Sequence, residues 1–195
     1  MGRTRAALYG LACSFVALAT PAAAFVQIDP LTRQPLYGHE SREAAPQEAP
    51  IPRRVVSFDT KHAPGTIVIS TDERRLYYVL SRGQAIRYGI GVGRPGFAWA
   101  GTKTVTMKRE WPDWRPPAQM LRRRPDLPRH MKGGVDNPLG ARALYLGSSL
   151  YRIHGSNEPE TIGQAVSSGC IRMTNDDVID LYDRVKVGSR VVVLR

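Results

Sequence analysis

The residues of this chain best suited to covalent chemistry lie in one segment near its C-terminal end. Cys170 ends the run Ser167-Ser168-Gly169-Cys170, and His154 lies sixteen residues upstream of it. A thiol with a pKa of about 8.5 is mostly protonated at neutral pH, whereas attack on a carbonyl carbon requires the thiolate. An adjacent imidazole generates that thiolate by taking the proton. The pair therefore predicts nucleophilic catalysis, with Cys170 as nucleophile and His154 as base.

Two glycines beside these residues fit the same chemistry. Gly169 permits a tight turn before the nucleophile, and such a turn can aim backbone N–H groups at a developing oxyanion. Gly155 lets the main chain approach the imidazole ring and leaves space for a substrate. Its carbonyl group could fix the tautomer of His154.

Each reactive residue also has an ordinary structural interpretation. His154 stands at the end of a predicted strand, where a lone histidine is more often structural, and Cys170 could be a small core residue. A metal site is disfavoured, because the chain contains neither a CxxC nor an HxxxH spacing. We expect no metal and no cofactor.

Residues 1–24 have the pattern of an export signal. Arg3 and Arg5 form a positive n-region, an apolar stretch follows, and Ala22-Ala23-Ala24 offers a cleavage site. The apolar stretch is too short to span a bilayer, which takes about 20 residues. The alternatives are a buried core helix and a lipoprotein signal that uses Cys13. The pattern predicts export to the periplasm or cell-wall space, with no stable membrane insertion.

Cleavage of the predicted signal would change the number of cysteines in the mature chain. Cys13 would leave with the signal, so that Cys170 would be the one cysteine of the mature chain. A lone thiol in an oxidising compartment is inert, is paired with another chain, or is used chemically. The net charge of +11 and the cluster Arg122-Arg123-Arg124 could suit nucleic acid, a membrane surface or a carboxylate-rich wall, or could form a solvated basic face that binds no partner. Export argues against nucleic acid as a partner.

The reactive residues must be positioned by β-rich structure. Residues 25–63 include a stretch rich in proline and alanine, which predicts a poorly ordered leader. From residue 64 onward, short β-branched and aromatic runs alternate with turn signals such as Arg82-Gly83. Strands are predicted over residues 66–70, 75–81, 85–92, 102–108, 143–146, 151–153 and 190–194. A mainly β domain over residues 64–195, built as a sandwich or barrel-like sheet, follows from this balance.

Two segments differ from the strands. Residues 110–141 contain Trp111, Trp114 and many prolines, which is typical of a functional loop or lid. One clear helix is predicted late in the chain, with a capping-box-like start at Thr174 and Asp177. Apolar residues follow at helical spacing, and Gly188 supplies the stop.

The segment from His154-Gly155 to Ser167-Ser168-Gly169-Cys170-Ile171-Arg172 resembles the signature of the YkuD-type L,D-transpeptidase family. The resemblance extends over roughly residues 65–195 and implies a mainly β fold that forms an acyl-enzyme on cysteine. The implied donor is a peptidoglycan tetrapeptide stem, cleaved after its third residue, a diamino acid, with loss of D-alanine. The acyl group would pass to an amine of a second stem, to a protein amine or to water, the last being L,D-carboxypeptidase activity.

The resemblance also implies roles by position. Cys170 would be the nucleophile, and His154 the general base and then the general acid, with its ring oriented by the Gly155 carbonyl. The N–H groups of Gly169 and Cys170 would form an oxyanion hole, and Arg172 would hold a substrate carboxylate. The other substrate-binding candidates are Ser167, Ser168 and Asn157.

Arg172 has a structural alternative, and Ser168 departs from the family pattern. A salt bridge to Asp176 or Asp177 is the structural alternative for Arg172. Many relatives have histidine two residues before the cysteine, where this chain has Ser168. His154 would therefore act as the sole histidine of the site.

Two other functions compete with this one. A secreted cysteine peptidase of the papain or wall-hydrolase type has its cysteine before its histidine, whereas here no histidine follows Cys170. A non-catalytic peptidoglycan-binding module is the second alternative. The intact set of Cys170, His154 and Arg172 argues against it.

Overall fold

The computed structural model describes residues 51–81 and 83–195. The predicted signal peptide, residues 1–24, and residues 25–50 of the predicted leader lie outside this part. The strands described are β1 (Arg54–Phe58), β2 (Ile67–Ser70), β3 (Arg75–Ser81), β4 (Gly83–Gly89), β5 (Val92–Gly93), β6 (Gly101–Glu110), β7 (Arg142–Leu146), β8 (Arg152–His154), β9 (Ala165–Ser167), β10 (Ile171–Arg172) and β11 (Arg190–Leu194). The helices are α1 (Ala118–Arg123) and α2 (Asn175–Arg184), with a 3-10 turn at Pro159–Thr161. None of these described helices is long and apolar enough to cross a membrane.

Nine strands form one sheet in the order β1-β4-β3-β2-β11-β6-β7-β8-β10. The long strand β6 joins the two halves of this sheet, because its first residues pair with β11 and its later residues pair with β7. Two neighbouring pairs are parallel, β2 with β11 and β8 with β10. β5 and β9 form a separate two-stranded parallel pair.

One apolar cluster holds the two halves of the sheet and α2 together. It contains Ile67 and Leu76 from the first half, Leu144 and Ile153 from the second half, and Leu181 from α2. The predicted class is confirmed, since the domain is mainly β with one clear late helix and a long loop. The sheet stays open, with β1 and β10 at its edges.

One strand lies where the sequence predicted a poorly ordered leader. β1 pairs with β4 along its whole length, and Phe58 stacks on Tyr77 with ring centroids 4.4 Å apart. For this part of residues 25–63 the prediction is wrong. β1 is an edge strand with largely exposed side chains, and Val55 is 61% exposed. Its sequence therefore carries little of the buried apolar alternation on which strand prediction depends.

The predicted start of α2 is confirmed. The Thr174 hydroxyl accepts a hydrogen bond from the Asp177 N–H at 3.2 Å, as an N-cap residue should. Val178, Leu181 and Val185 are buried in the core, in keeping with their helical spacing.

The end of α2 differs from the prediction. The helix stops at Arg184, a turn before Gly188, which lies in the connection to β11 with a φ of 96°. Lys108 of β6 donates from Nζ to the carbonyl oxygens of Tyr182 at 2.6 Å and Val185 at 2.7 Å. This lysine satisfies the last helix carbonyls from another element, which sequence spacing within the helix does not reveal.

The proline-rich residues 110–141 fold back on themselves. Trp114 and Met131 exchange two backbone hydrogen bonds of 2.8 Å, with α1 between them in sequence. The Asn137 amide donates to three carbonyl groups of the same segment. The segment is an ordered loop, and its action as a lid stays a prediction.

We expect Lys108→Met to lower the free energy of unfolding by about 1–3 kcal/mol, because the carbonyl groups of Tyr182 and Val185 lose their donor while most of the aliphatic side chain is kept. Lys61→Met is the matched control at an exposed position and should change that free energy by less than about 0.5 kcal/mol. Urea unfolding followed by circular dichroism measures both variants. Equal stability of K108M and wild type would show that Lys108 does not stabilise the end of α2.

Candidate active site

The parallel pairing of β8 with β10 brings the two reactive residues of the sequence together. Ile171 lies opposite Ile153, Arg172 lies opposite His154, and the Met173 N–H donates to the His154 carbonyl at 2.9 Å. Continuing this register by one residue brings Cys170 beside Arg152, the first residue of β8. Residues two apart on a strand share a face, so Arg152 and His154 project to the same side of the sheet.

His154 is held as a neutral imidazole. Its side chain is buried, and Nδ1 lies 2.6 Å from the Gly155 carbonyl oxygen. A carbonyl can only accept, so Nδ1 carries the proton and Nε2 has the free lone pair. Burial lowers the pKa of His154 to about 3, with the charges of Arg172 and Arg152 acting in the same direction. This tautomer is the one that can accept a proton at Nε2.

Cys170 is held as a neutral thiol. Its side chain is partly exposed, and Sγ donates to the Leu150 carbonyl at 3.7 Å. Burial raises the pKa of the thiol, while hydrogen bonds and charge from Arg152 oppose the rise. Among the described residues, no hydrogen bond joins Cys170 to His154. The resting site therefore contains a thiol and an imidazole rather than an ion pair.

The turn before Cys170 has the tight form that the sequence predicted, and the Ser167 side chain forms hydrogen bonds within it. Gly169 adopts a φ of 103°, which favours glycine over other residues. Ser167 is buried, donates from Oγ to the Cys170 carbonyl at 2.6 Å and accepts the Gly169 N–H at 3.1 Å. The Gly169 N–H is therefore engaged within the turn, and Ser167 belongs to its scaffold.

Arg172 pairs with a carboxylate that the sequence analysis did not consider. Its Nη1 lies 2.8 Å from Glu158 Oε2 and 3.4 Å from the Thr161 hydroxyl. The predicted structural alternative, a bridge to Asp176 or Asp177, is wrong. Asp177 instead pairs with Arg53 at 3.3 Å, and burial raises the pKa of its carboxyl to about 6.

The remaining predicted site residues lie around this centre. Ser168 is partly exposed in the turn, and Asn157 is exposed and donates to the Asp136 carbonyl at 3.1 Å. Gly155 lies against α2, where an added Cβ would collide with the Asn175 amide oxygen. The need for glycine here comes from the approach of α2 as well as from the imidazole ring.

The family model for the YkuD L,D-transpeptidase catalytic domain matches residues 64–193, the segment that contains the whole site. The chain belongs to the YkuD family. Two similar curated relatives from Escherichia coli are the probable L,D-transpeptidases ErfK/SrfK, at 39% identity over 153 residues, and YbiS, at 38% over 149 residues. The matches cover 74% and 72% of this chain but 48% and 47% of those relatives. The chain thus spans about half the length of the curated relatives it matches.

Solved structures of other proteins share the YkuD fold seen here. An L,D-transpeptidase from Mycobacterium smegmatis has a TM-score of 0.55 at 20% identity, with 68% of this chain and 59% of that chain covered. A Brucella melitensis protein described as a probable carnitine operon oxidoreductase is 46% identical, with a TM-score of 0.51. It covers 74% of this chain and 94% of its own.

Arg152 is a feature of this YkuD domain that the sequence analysis missed. Its Nη1 donates to the Leu150 carbonyl at 3.2 Å, the same oxygen that accepts from Cys170. Its guanidinium lies 5.0 Å from the ring centroid of Tyr145, and Nε is buried without a partner in the described part of the chain. Unlike Arg172, it forms no ion pair with a described carboxylate. The sequence feature that could have indicated Arg152 was its position two residues before His154 on a predicted strand.

We expect Arg152→Gln to raise the pKa of the Cys170 thiol, because the charge of Arg152 lowers that pKa more than the charge of Arg172 does. Alkylation by iodoacetamide needs the thiolate, so it should become roughly tenfold slower at neutral pH. Arg152→Lys is the matched control and should keep most of the effect, because it keeps the charge. Alkylation rates followed by intact-mass spectrometry from pH 6 to 10 give the pKa values. A folded R152Q variant with the wild-type profile would contradict this electrostatic role.

Proposed function

We propose that this protein is a peptidoglycan L,D-transpeptidase in which Cys170 is the nucleophile and His154 the general base. The observation that carries the proposal is the fixed neutral imidazole on β8, near the only described cysteine, which directly precedes β10. Membership of the YkuD family supplies the class of reaction. The donor would be a tetrapeptide stem with a diamino acid at its third position.

The first half-reaction forms the acyl-enzyme. Nε2 of His154 takes the thiol proton while Sγ attacks the carbonyl carbon of the third residue, and the carbonyl electron pair moves onto oxygen. Collapse of this intermediate breaks the C–N bond, and His154 gives its proton to the leaving amine of D-alanine. The thiol must first turn from the Leu150 carbonyl toward His154, and catalytic hydrogen bonds in free enzymes are commonly long before substrate binds.

The second half-reaction regenerates the enzyme. An acceptor amine attacks the thioester carbon, His154 takes a proton from that amine, and the C–S bond breaks. The thiolate recovers its proton from His154. The acceptor would be an amine of a second stem, giving a 3-3 crosslink, or a protein amine. Water in its place would give an L,D-carboxypeptidase.

Arg172 would bind a carboxylate of the stem. Arg172 lies opposite His154 in the pairing of β10 with β8, and its side chain is 20% exposed. Glu158 at its other side is 50% exposed, so that an incoming carboxylate could replace it. Asn157 is exposed and Ser168 is partly exposed, and both are further candidates for substrate contact.

Similarity to the Brucella protein raises an oxidoreductase as a second function, and the fold argues against it. Gly91, Gly93 and Gly96 match the G-x-G-x-x-G spacing of dinucleotide sites. Such a loop cradles a pyrophosphate where it leads from a strand into the N-terminus of a helix. Here the glycines span β5 and a turn closed by the Phe97 N–H on the Arg94 carbonyl, and the chain continues into β6.

The proposed substrate implies a location. Peptidoglycan lies outside the cytoplasmic membrane, so the protein would act in the periplasm or cell-wall space. The export signal predicted for residues 1–24 supports this. The domain would be residues 64–195, preceded by β1.

The decisive experiment incubates the purified protein with a disaccharide-tetrapeptide and identifies products by mass spectrometry. We expect release of D-alanine, with crosslinked dimers or tripeptide products identifying the acceptor. Cys170→Ala should fold normally and retain less than about one per cent of the turnover, because loss of a covalent nucleophile costs several orders of magnitude. Product formation by folded C170A at a higher level would refute Cys170 as nucleophile. No product from the wild type would refute the proposed reaction.

A carbapenem should acylate the same sulfur. Its strained amide presents a carbonyl carbon to the nucleophile, and ring opening retains the whole drug on the enzyme. Intact-mass spectrometry of wild-type protein with imipenem is expected to show one adduct, absent from C170A. Active wild-type protein that gains no adduct after long exposure would contradict this prediction.

A further inference from the structure

The peptide group between Gly169 and Cys170 is held from outside the nucleophile turn. Trp99, in the connection from β5 to β6, donates from its indole Nε1 to the Gly169 carbonyl at 2.8 Å. The indole is itself fixed, because it stacks on Tyr151 with ring centroids 4.7 Å apart and an interplanar angle of 7°. Both rings pack against the apolar core.

Fixing this carbonyl also fixes an N–H group. A peptide unit is planar and trans, so that the Gly169 C=O and the Cys170 N–H point in opposite directions. With the carbonyl oxygen held on the indole, the Cys170 N–H must point to the far side of the peptide. Rotation of the peptide about its flanking bonds would break the hydrogen bond to Trp99.

The hydrogen-bond pattern of the turn leaves this N–H as the available donor. The Gly169 N–H is bound by Ser167, whereas the Cys170 N–H has no acceptor within the described part of the chain. An amide N–H beside the nucleophile, held in place and unpaired, is what an oxyanion hole requires.

We propose that Trp99 is a positioning residue that aims the Cys170 N–H at the oxyanion formed when Cys170 attacks a carbonyl. The inference rests on the proposed acyl transfer and adds a residue that the nucleophile motif does not contain. Trp99 does not touch the substrate. It acts through the Gly169 carbonyl and lowers the barrier by keeping the donor oriented before the charge develops.

The test compares two reactions of the same sulfur. Acylation by imipenem forms an oxyanion, whereas alkylation by iodoacetamide displaces iodide and forms none. Trp99→Phe removes the indole N–H and keeps a ring against Tyr151. We expect acylation to slow by about tenfold to a hundredfold, somewhat less than the loss of a whole oxyanion donor. Alkylation should stay within about twofold of wild type.

Two further variants make the result specific. Tyr78→Phe also removes an aromatic donor to a backbone carbonyl, the Tyr78 hydroxyl on Arg184 at 3.2 Å, and should leave both rates unchanged. Trp99→His can restore a ring N–H and should recover part of the acylation rate. Thermal melting of each variant identifies loss of folding, and an unfolded protein would also alkylate faster.

Four results would contradict the inference. Unchanged acylation by folded W99F, or an equal slowing of acylation and alkylation, would overturn it while leaving the proposed function in place. No recovery by folded W99H would also argue against an N–H donor role. A wild-type protein that imipenem does not acylate would overturn the proposed function, and the inference with it.

Discussion

The parallel pairing of β8 with β10 is the constraint on which the site depends. Parallel neighbours cannot be joined by a tight hairpin, and their connection takes a dozen or more residues. The sixteen-residue spacing from His154 to Cys170 is that connection, which contains the 3-10 turn, β9 and the Gly169 turn. Because β8 and β10 pair in register, the side chains of opposed residues point to the same side of the sheet. The sixteen-residue spacing is therefore set by the length of the connection between β8 and β10 as well as by the chemistry of the two residues.

The same register sets the electrostatics of the site. It brings one arginine beside Cys170 and another opposite His154, and both favour thiolate over imidazolium. Because Glu158 offsets the charge of Arg172, the two arginines are not equivalent. Burial of the imidazole has a larger effect than either charge. The proton of this pair therefore lies on sulfur, and His154 is in its basic form.

Local sequence signals predicted what depends on neighbouring residues. β3 and β11 have the predicted bounds, Ser81 lies opposite Gln84 in the predicted hairpin, and Thr174 caps α2. β9 and β10 are two or three residues long, too short for a period to appear. β1 escaped prediction because an edge strand can form on backbone pairing with few buried side chains.

Local sequence patterns could not predict contacts between elements that are distant in sequence. Lys108 contacts the end of α2 from β6, and Trp99 donates to the turn before Cys170 from about seventy residues away in sequence. Glu158 could be seen as an acid near the motif, but nothing local indicated that it would meet Arg172. The roles of Cys170 and His154 could be proposed because one strand pair generates their spacing.

The protonated state of Cys170 has a consequence for its reaction with oxidants. Peroxide and disulfides react with the thiolate, and their rates follow the fraction of sulfur in that form. A thiol with a raised pKa presents little thiolate at neutral pH. Cys170, the only cysteine in the part of the chain that the structure describes, is thereby protected from sulfenic acid formation.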